Sequence, residues 1–551
     1  MDLQLYDFPH DVWQKAIAHL IESGSMKMSV LDTACRRVLR MKFALGLFEN
    51  PYTDEKRADK ILRCPEHLTT AEKIAEKSIV LLKNDGLLPI RKDLRSVAVI
   101  GPAADTVSYG DYTETRGRKG GVSVLDGIRA AVSPETEVLY ERGCNFLGQA
   151  LHPFDPSMLR DENGESGLTG HYYNGPVQVR TDRTVNFNWI FALPHPALDA
   201  NCFSVVWTGS VVMPRTMDGC IGLSTQDSMR LYVDDKLLID GWGKDKSADQ
   251  ALDFHFEAGR TYKIRIEFVN DRRGARVIFG YSAGRENFPA AVEAARKADV
   301  AILCMGDNEE TSGENFDRTD LNLPGRQLEL VQAVYATGTP VVLVLQSGRP
   351  VTANWENDHL PAILEAWFPG EQGGTAIAKT LFGDAAPGGR LPITFPRSVG
   401  QIPCHYSRRP GGGKRYVEMD WLPLYPFGYG LTYTTFAYRD MALSRSVIDP
   451  QDTVTVSVTV TNTGKYTGDA VPQLYVRDMF SSVVKPERQL AAFRRLTLAP
   501  GESRRVELTV GPKQLRTLGP DYVWRVEPGK FELQLGDNAE NILLRADLTV
   551  E

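Results

Sequence analysis

Short apolar runs alternate with amphipathic stretches along two parts of the chain. Between two of these runs, Leu328, Val331 and Val334 recur at helical spacing and predict a helix. Continuous apolar strands separated by such helices are typical of a mostly parallel sheet that is covered on both faces. The pattern therefore predicts an α/β domain. The runs lie at Ser96–Gly101, Val300–Met305, Val341–Leu345 and, more weakly, Ile363–Trp367.

The pattern changes between about residues 150 and 288, where short alternating runs replace the strand–helix order. Strands at this density predict a β-sandwich over residues 160–288. Because the α/β pattern resumes afterwards, we expect the sandwich to be inserted into an α/β domain made of residues 73–150 and 289–435. The predicted strands are Phe203–Thr208, Met229–Val233, Tyr262–Phe268 and Val277–Tyr281.

The C-terminal residues 437–551 are also predicted to be all β. In Thr453–Thr461, valines alternate with hydroxyl residues, which indicates a strand with one buried and one solvated face. We predict further strands at Pro472–Val476, Arg504–Val510 and Lys530–Leu535, enough for a second sandwich.

The N-terminal part of the chain reads as helices followed by a linker. Helices are predicted over residues 10–23 and 29–47, and a polar, proline-containing stretch follows to about residue 68. A further helix is predicted where Ile74, Ser78 and Leu81 share one side.

Length, charge and cysteine content narrow the function classes. The 551 residues are too many for one core, so we expect three or four domains. The net charge of -7 and the absence of a basic stripe argue against a nucleic-acid partner, and no apolar run is long enough for a membrane span. The 7 cysteines lack metal-finger spacing and the N-terminus lacks a secretory pattern, so we predict a cytoplasmic protein.

Candidate chemistry is confined to one acidic loop. No metal-ligand spacing, nucleophile elbow or nucleotide-binding motif is visible in the sequence, so we expect neither a metal nor a cofactor. The loop Gly306–Gly325 follows the strand at 300–305, and ligand sites of open α/β sheets lie beyond the carboxyl ends of strands. Taken alone, such a loop is more simply solvated surface. Its acidic residues are Glu309, Glu310, Glu314, Asp317 and Asp320.

Several short stretches of the chain have a distinctive sequence. In the acidic loop, a Glu stands just before an Asn-aromatic-Asp-Arg run, Glu314–Arg318. The other stretches are Ala71–Pro89, Ser96–Pro102, Trp367–Gly373, Gly389–Pro396 and Tyr425–Phe436. Together they resemble glycoside hydrolase family 3, the β-glucosidase and β-xylosidase group, and the likeness covers essentially the whole chain.

The resemblance also concerns the two predicted sandwiches. Residues 160–288 resemble the protective-antigen-type sandwich that some members carry, on the strength of Gly170–Tyr173 and Asp227–Asp235. Relatives of that module use paired Asp residues for calcium, but Gln226-Asp227 replaces one such pair here, which leaves calcium binding open. Residues 437–551 resemble the family's fibronectin-type-III-like domain.

The family resemblance implies a retaining glycosidase that acts on an oligosaccharide or β-glycoside. Such an enzyme needs two carboxyl groups about 5–5.5 Å apart, one as nucleophile and one as acid/base. By position, Glu314 is the predicted acid/base residue, with Glu310 as the alternative. Asp317 and Arg318 are predicted to hold the loop through hydrogen bonds rather than to contact the sugar.

The family's nucleophile belongs to a (β/α)₈-type barrel, and nothing in this chain matches its motif. Residues 1–72 resemble the barrel's last helices and the linker after it, so we expect half a catalytic site, no turnover by the chain alone, and self-association through the face that a barrel would cover. Two alternatives stay open: a non-catalytic carbohydrate-binding or scaffold fragment, and an incomplete gene model.

Overall fold

In a computed structural model, the chain divides into two compact units, Met1–Leu68 and Thr69–Glu551. No helix in the described part of the chain is long and apolar enough to cross a bilayer. The structure describes residues 3, 9–110, 112–113, 120–146, 151–174, 178–189, 193–199, 202–225, 227–243, 250–270, 275–282, 288–308, 311–314, 316–411 and 415–551.

The first unit is helical. Its helices carry many apolar side chains, yet no residue of α1, α2 or α3 is buried. Phe43 and Phe48 pack their rings 4.4 Å apart, while Met41 and Leu45 are largely exposed. In the described part of the chain, the helices are α1 (His10–Glu22), α2 (Met28–Ala44), α3 (Glu55–Ile61), α4 (Pro65–Ser78), α5 (Val124–Ala131), α6 (Pro289–Lys297), α7 (Gln327–Tyr335), α8 (Asn354–His359), α9 (Gly373–Leu381) and α10 (Pro512–Leu515), with 3-10 turns at Pro156–Met158 and Val399–Gln401.

A six-stranded, mostly parallel sheet forms the centre of the second unit. Its order is β1-β6-β5-β4-β2-β3, and only β1 runs antiparallel to its neighbour. Strands from before and after the intervening all-β segment thus share one sheet. The strands are β1 (Val80–Asn84), β2 (Ser96–Ile100), β3 (Glu137–Glu141), β4 (Val300–Gly306), β5 (Val341–Gln346) and β6 (Ala362–Glu365).

Helices cover both faces of this sheet, which explains why its strands are continuously apolar. Alternate residues point to opposite faces. One row, Ile100, Leu303, Leu343 and Ile363, packs in the core that contains α6 and α7. The neighbouring row packs with α4, α5 and α9. This arrangement confirms the predicted α/β class.

Strand β1 corrects one prediction. The helical pattern was expected to continue to Leu81, but α4 ends at Ser78 and Val80 begins a strand. Val80 pairs with Glu365 and Leu81 with Leu364, so pairing with the edge of the sheet overrides the local helical spacing. The predicted linker before residue 68 likewise contains α3 and the start of α4.

Two facing sheets form the β-sandwich between β3 and α6, and they share one core around Trp207 and Phe279. All four strands predicted here are present. One sheet contains His152–Pro153, Asn186–Asn188, Met217–Thr225, Gln250–Phe256 and Arg276–Ser282; the other contains Leu159–Arg160, Leu168–Tyr173, Gln178–Asp182, Phe203–Val212, Ser228–Val233, Lys236–Gly241 and Thr261–Asn270.

A second sandwich ends the chain. The alternating valines of Val454–Asn462 point into its core, as predicted, and Leu474 and Leu533 of the facing sheet meet them there. Its three-stranded sheet contains Phe436–Leu443, Val454–Asn462 and Ser503–Val510; its five-stranded sheet contains Val447–Ile448, Gln473–Asp478, Gln489–Phe493, Gly529–Gly536 and Ile542–Val550; two short pairs join Gly468–Ala470 to Leu496–Leu498 and Thr517–Leu518 to Trp524–Arg525.

Candidate active site

The acidic loop lies at the point of the sheet where strand order reverses. From β2 the chain passes outward to β3, whereas from β4 it passes in the other direction to β5 and β6. The loops that follow these adjacent strands lead to helices on opposite faces of the sheet, α5 and α7. Open α/β sheets bind ligands in the crevice that this divergence creates. The loop after β4 is therefore well placed for a site.

The start of the loop is held by backbone and amide contacts. Gly306 has φ of +137°, and a Cβ atom there would lie 2.0 Å from the Gln346 carbonyl oxygen, so only glycine fits. The Gly306 N–H donates to the Gln327 side-chain oxygen at 2.7 Å, and the Gln327 amide donates back to the Gly306 carbonyl at 2.9 Å. Gln327 is fully buried, so these bonds fix the point where the loop leaves β4.

Asp307 is a buried carboxylate at the base of the loop. Its Oδ1 accepts from the Thr311 hydroxyl at 2.9 Å and lies 3.3 Å from Arg318 Nη1. Its Oδ2 lies 3.6 Å from Arg349 Nε. Two guanidinium groups from different parts of the chain thus contact one carboxylate, and their charges offset the free-energy cost of burying it.

Both arginines also bind the backbone of the loop. Arg318 Nη2 donates to the Asn322 carbonyl at 2.9 Å and lies 3.4 Å from Asp320 Oδ1. Arg349, just after β5, donates to the carbonyl of Thr311 at 3.0 Å and of Phe316 at 3.3 Å. The two side chains therefore clamp both arms of the loop.

The predicted site residues fall on this loop with different surroundings. Glu314 is exposed to solvent, and it lies within a turn in which the Phe316 N–H donates to the Gly313 carbonyl at 3.2 Å. Asp317 is exposed too, and it makes no ion pair with the part of the chain that the structure describes, so a supporting role for Asp317 stays a prediction. Arg318 donates to Asp307 at 3.3 Å and to the Asn322 carbonyl at 2.9 Å, and its supporting role stays a prediction as well. Glu310 lies outside the described residues.

A second buried carboxyl group, Glu365, stands at the end of β6. Its Oε1 accepts from the Trp367 N–H at 2.8 Å, and its Oε2 lies 3.2 Å from the Ser347 hydroxyl. Because Ser347 donates its one hydrogen to the Arg349 carbonyl at 2.8 Å, the contact with Glu365 is best satisfied when Glu365 is protonated and donates.

The electrostatics agree with that proton assignment. Burial raises the pKa of Glu365 well above its usual range, and the charge of Asp307 adds to the shift. Burial also raises the pKa of Asp307, but the Thr311 hydroxyl and the Arg349 and Arg318 guanidinium groups oppose that shift. Burial therefore favours the neutral form of Glu365, whereas the two guanidinium groups favour the ionised form of Asp307.

Asp307, Arg349 and Glu365 were not singled out from the sequence. The usable signal for Glu365 is a carboxyl group within an otherwise apolar run, Ala362–Ala366. The signal for Asp307 is a carboxylate directly after an apolar strand. Neither signal identifies the partners, which lie far away in the sequence.

Among the described residues, no group of three or more His, Cys, Asp or Glu side chains could hold a metal ion. In the inserted sandwich, Asp234 forms an ion pair with Arg260 and Asp235 with Lys263, so cations of the protein itself already neutralise these carboxylates. Gln226, which bears on the calcium question, lies outside the described residues.

Comparison with known proteins identifies the family. The model of the glycosyl hydrolase family 3 C-terminal domain matches residues 79–433, and that of a fibronectin type III-like domain matches residues 470–539. A β-glucosidase of Rhizobium radiobacter is 33% identical over 592 residues, covering 100% of this chain and 70% of the relative. The chain belongs to glycoside hydrolase family 3. The predicted family is thus confirmed.

Other similar proteins give the same picture. A β-xylosidase of Formosa agariphila is 32% identical over 95% of this chain and 56% of its own length. A β-glucosidase structure from Kluyveromyces marxianus, in complex with glucose, superposes with a TM-score of 0.70 at 27% identity, covering 100% of this chain and 70% of that one. The structure of a β-glucosidase from Erythrobacter marinus gives 0.68 at 29% identity, covering 97% and 57%.

This family 3 chain spans only part of its relatives, between 56% and 70% of the length of the two sequence relatives above. The likeness of residues 160–288 to a protective-antigen-type sandwich stays a prediction, as do the domain boundaries.

Proposed function

We propose that the protein is a retaining β-glycosidase of the β-glucosidase type, and that this chain supplies the acid/base half of its site. The substrate is a terminal, non-reducing β-linked sugar. The observation that carries the proposal is the position of Glu314: an exposed carboxyl group on the loop after β4, at the switch point of the sheet, in a family whose relatives are β-glucosidases and β-xylosidases.

In the first half of the reaction, the Glu314 carboxyl donates its proton to the glycosidic oxygen as the bond to the anomeric carbon breaks. A nucleophilic carboxylate takes that carbon and forms a covalent glycosyl-enzyme. In the second half, the Glu314 carboxylate removes a proton from water, which attacks the same carbon and releases the sugar. Arg318 and Arg349 bind the backbone of the loop, and these contacts help to fix the position of Glu314.

The nucleophile, by this proposal, is not among residues 1–551. Two other carboxyl groups near the carboxyl edge of the sheet are unsuited to the role, because Asp307 is 2% exposed and Glu365 is fully buried. Asp307 is also engaged by two arginines. A lone acid/base residue can protonate a leaving group but cannot form the glycosyl-enzyme, so we expect the chain alone to be inactive.

The direct test assays residues 1–551 on aryl β-glucosides and β-xylosides, beside the same chain preceded by whatever coding sequence lies in frame upstream of Met1. We expect turnover only from the longer protein, lowered strongly by Glu314→Gln and little by Asp317→Asn. Asp317 is the matched control because it is an exposed carboxylate on the same loop.

The outcomes separate the hypotheses. Turnover by the short chain that disappears in Glu314→Gln would mean that a second catalytic carboxylate exists within these residues. Inactivity of both proteins, with retained folding, would favour the alternative of a non-catalytic carbohydrate-binding or scaffold protein. Equal loss in Glu314→Gln and Asp317→Asn would remove the acid/base assignment.

A further inference from the structure

One end of the C-terminal sandwich exposes a group of large apolar side chains on two adjacent segments. The segments are the loop 479–485 and the hairpin 517–525, which we call the end surface. The relative exposures of its side chains are 80% for Phe480, 66% for Val484, 86% for Tyr522, 52% for Val523 and 54% for Trp524. Single exposed apolar residues are ordinary, but a group of this size marks an interaction site.

The two segments of the end surface are fixed to each other. Lys485 Nζ donates to the Arg516 carbonyl at 3.1 Å and to the Thr517 hydroxyl at 3.0 Å. The Ser482 N–H donates to Glu527 at 2.9 Å, just beyond the hairpin. The two segments that carry the aromatic side chains are therefore ordered before any ligand binds, which lowers the entropic cost of binding.

Contact with the α/β domain does not cover the end surface. Residues on both sides of the loop 479–485 contact that domain: Gln473 donates to the Gly428 carbonyl at 3.0 Å, and Glu487 forms an ion pair with Arg408 at 3.3 Å. The aromatic side chains of the end surface keep their exposure in the presence of these contacts, so packing against the α/β domain does not account for the aromatic character of this end.

The backbone at Tyr522 provides an independent observation. Its φ is +60°, in the left-handed region that a tyrosine rarely adopts. The ring is 86% exposed, so packing does not offset the strain. The hairpin, closed by the hydrogen bond from the Gly519 N–H to the Val523 carbonyl at 3.1 Å, requires this conformation at residue 522, where glycine is the usual residue. A tyrosine at this position costs stability, which favours a role for its side chain outside the fold.

The chemistry of the end surface fits a sugar chain better than a charged partner. Its charged groups are largely compensated: Arg525 pairs with Asp521, and Lys485 with Asp478. The Arg516 guanidinium lies 4.4 Å from the Trp524 ring centre and covers one face, while the ring keeps half of its surface exposed. Exposed aromatic faces beside paired polar groups match a pyranose, which has an apolar C–H face and hydroxyls at its rim.

We propose that the end surface binds a polymeric β-linked glycan, with Tyr522 and Trp524 stacking on sugar rings. The choice of a β-linked chain rests on the proposed function, because such a chain carries the terminal sugar that the active site would cleave. Its pyranose rings are flat and extended, so successive rings can meet successive aromatic side chains. The end surface would hold the polymer while the loop with Glu314 acts on a chain end.

The test is native affinity electrophoresis of the chain in gels that contain a soluble mixed-linkage β-glucan or a β-1,4-xylan, with α-linked amylopectin as the reference polymer. We expect retardation by a β-linked polymer and none by amylopectin. The double variant Tyr522→Ala/Trp524→Ala should bind about tenfold more weakly or worse. Phe493→Ala is the matched control, since Phe493 is an exposed aromatic residue on another strand of the same sandwich.

Tyr522→Gly separates binding from folding. Glycine adopts the left-handed backbone conformation without strain, so this variant should unfold at the same or a higher temperature than the wild type while its retardation falls. A residue that only supports the fold would not produce this combination.

Two binding results would overturn the inference: no retardation of the wild-type chain by either β-linked polymer, or retardation that the double variant retains. A wild-type dimer that is monomeric in the double variant would also overturn it, because the end surface would then bind a second copy of the chain. Binding without any glycosidase activity in the longer protein would remove the proposed function and leave the end surface as a glycan site. Activity on small aryl glycosides without polymer binding would support the proposed function and remove the glycan site on the end surface.

Discussion

Arg318 and Asp307 form an ion pair across the base of the loop that carries Glu314, with Arg318 Nη1 3.3 Å from Asp307 Oδ1. The carboxylate is 3% exposed and the guanidinium 17%, so the pair is largely removed from solvent. The same guanidinium reaches Asp320 and the Asn322 carbonyl. The geometry of the candidate acid/base loop therefore depends on a residue four positions after Glu314.

Replacing Arg318 by Ala should lower the free energy of unfolding by roughly 2–3 kcal/mol, because a buried carboxylate loses a charged hydrogen-bond partner. Arg318→Lys should recover only part of the lost stability, since one ammonium group cannot reach both Asp307 and Asn322 as the forked guanidinium does. Urea unfolding measures both changes. The exposed Arg129→Ala on α5 serves as the control, and a similar loss there would contradict the assignment.

Glu365→Gln should change how stability depends on pH. Below the ordinary glutamate pKa of about 4.3, Glu365 holds its proton in both the folded and the unfolded wild-type chain. In that range the variant should have nearly the same free energy of unfolding as the wild type. As pH rises above that value, the unfolded chain releases the proton while folded Glu365, whose pKa burial has raised, keeps it. Wild-type stability should therefore fall by up to about 1.4 kcal/mol per pH unit until the folded pKa is reached.

The glutamine variant lacks this proton, so its stability relative to the wild type should increase across the same range. Urea unfolding at several pH values between 4 and about 8 measures the difference, since that range starts below the ordinary glutamate pKa. Glu135→Gln is the control because Glu135 is exposed. Parallel pH profiles for the wild type and Glu365→Gln would show that Glu365 is ionised in the folded protein.

Gly306→Ala should destabilise the protein by at least about 3 kcal/mol, because a methyl group would overlap the Gln346 carbonyl and the backbone conformation excludes alanine. Gly400→Ala provides the comparison: its nearest heavy atom would be 3.6 Å away and its φ is unrestrictive. Urea unfolding of both variants measures the contrast. Equal stability of the two would mean that the end of β4 can move without cost.

In the catalytically competent protein, Glu314→Ala should slow the cleavage of aryl β-glucosides with poor leaving groups by about 10²–10⁴-fold. Substrates with good leaving groups need little protonation and should be affected least. Measuring kcat/KM across a series of aryl glycosides tests this, with Asp317→Ala as the control. A loss that is the same for every leaving group would point to a role in binding or folding instead.

The strand–helix order of the α/β domain could be predicted because each element has its own periodicity. The runs that became β4 and β5 are apolar along their whole length, and the helix between them has one apolar stripe. Strand β1 was assigned to a helix because its pairing with β6 depends on residues almost 300 positions away. Strand β3 was not predicted, and among the described strands it pairs with β2 alone, at the edge of the sheet.

The candidate site was predictable only in part, for the same reason. The position of Glu314 after an apolar strand and before Asp317-Arg318 is local information, and the family resemblance depends on it. The contacts of Asp307 with Arg349 and of Glu365 with Ser347 are not local, because their members follow different strands.

By itself, the sequence determined the classes of the domains, the family and the loop on which an acid/base residue would stand, since periodicity and short motifs are properties of neighbouring residues. The tertiary structure decided which carboxyl groups are buried and which is exposed. Parallel strands place their carboxyl ends along one edge of a sheet, so residues far apart in the sequence share one desolvated environment there. Desolvation then favours the neutral form of Glu365 and the two guanidinium groups favour the charged form of Asp307, while Glu314 remains accessible to solvent.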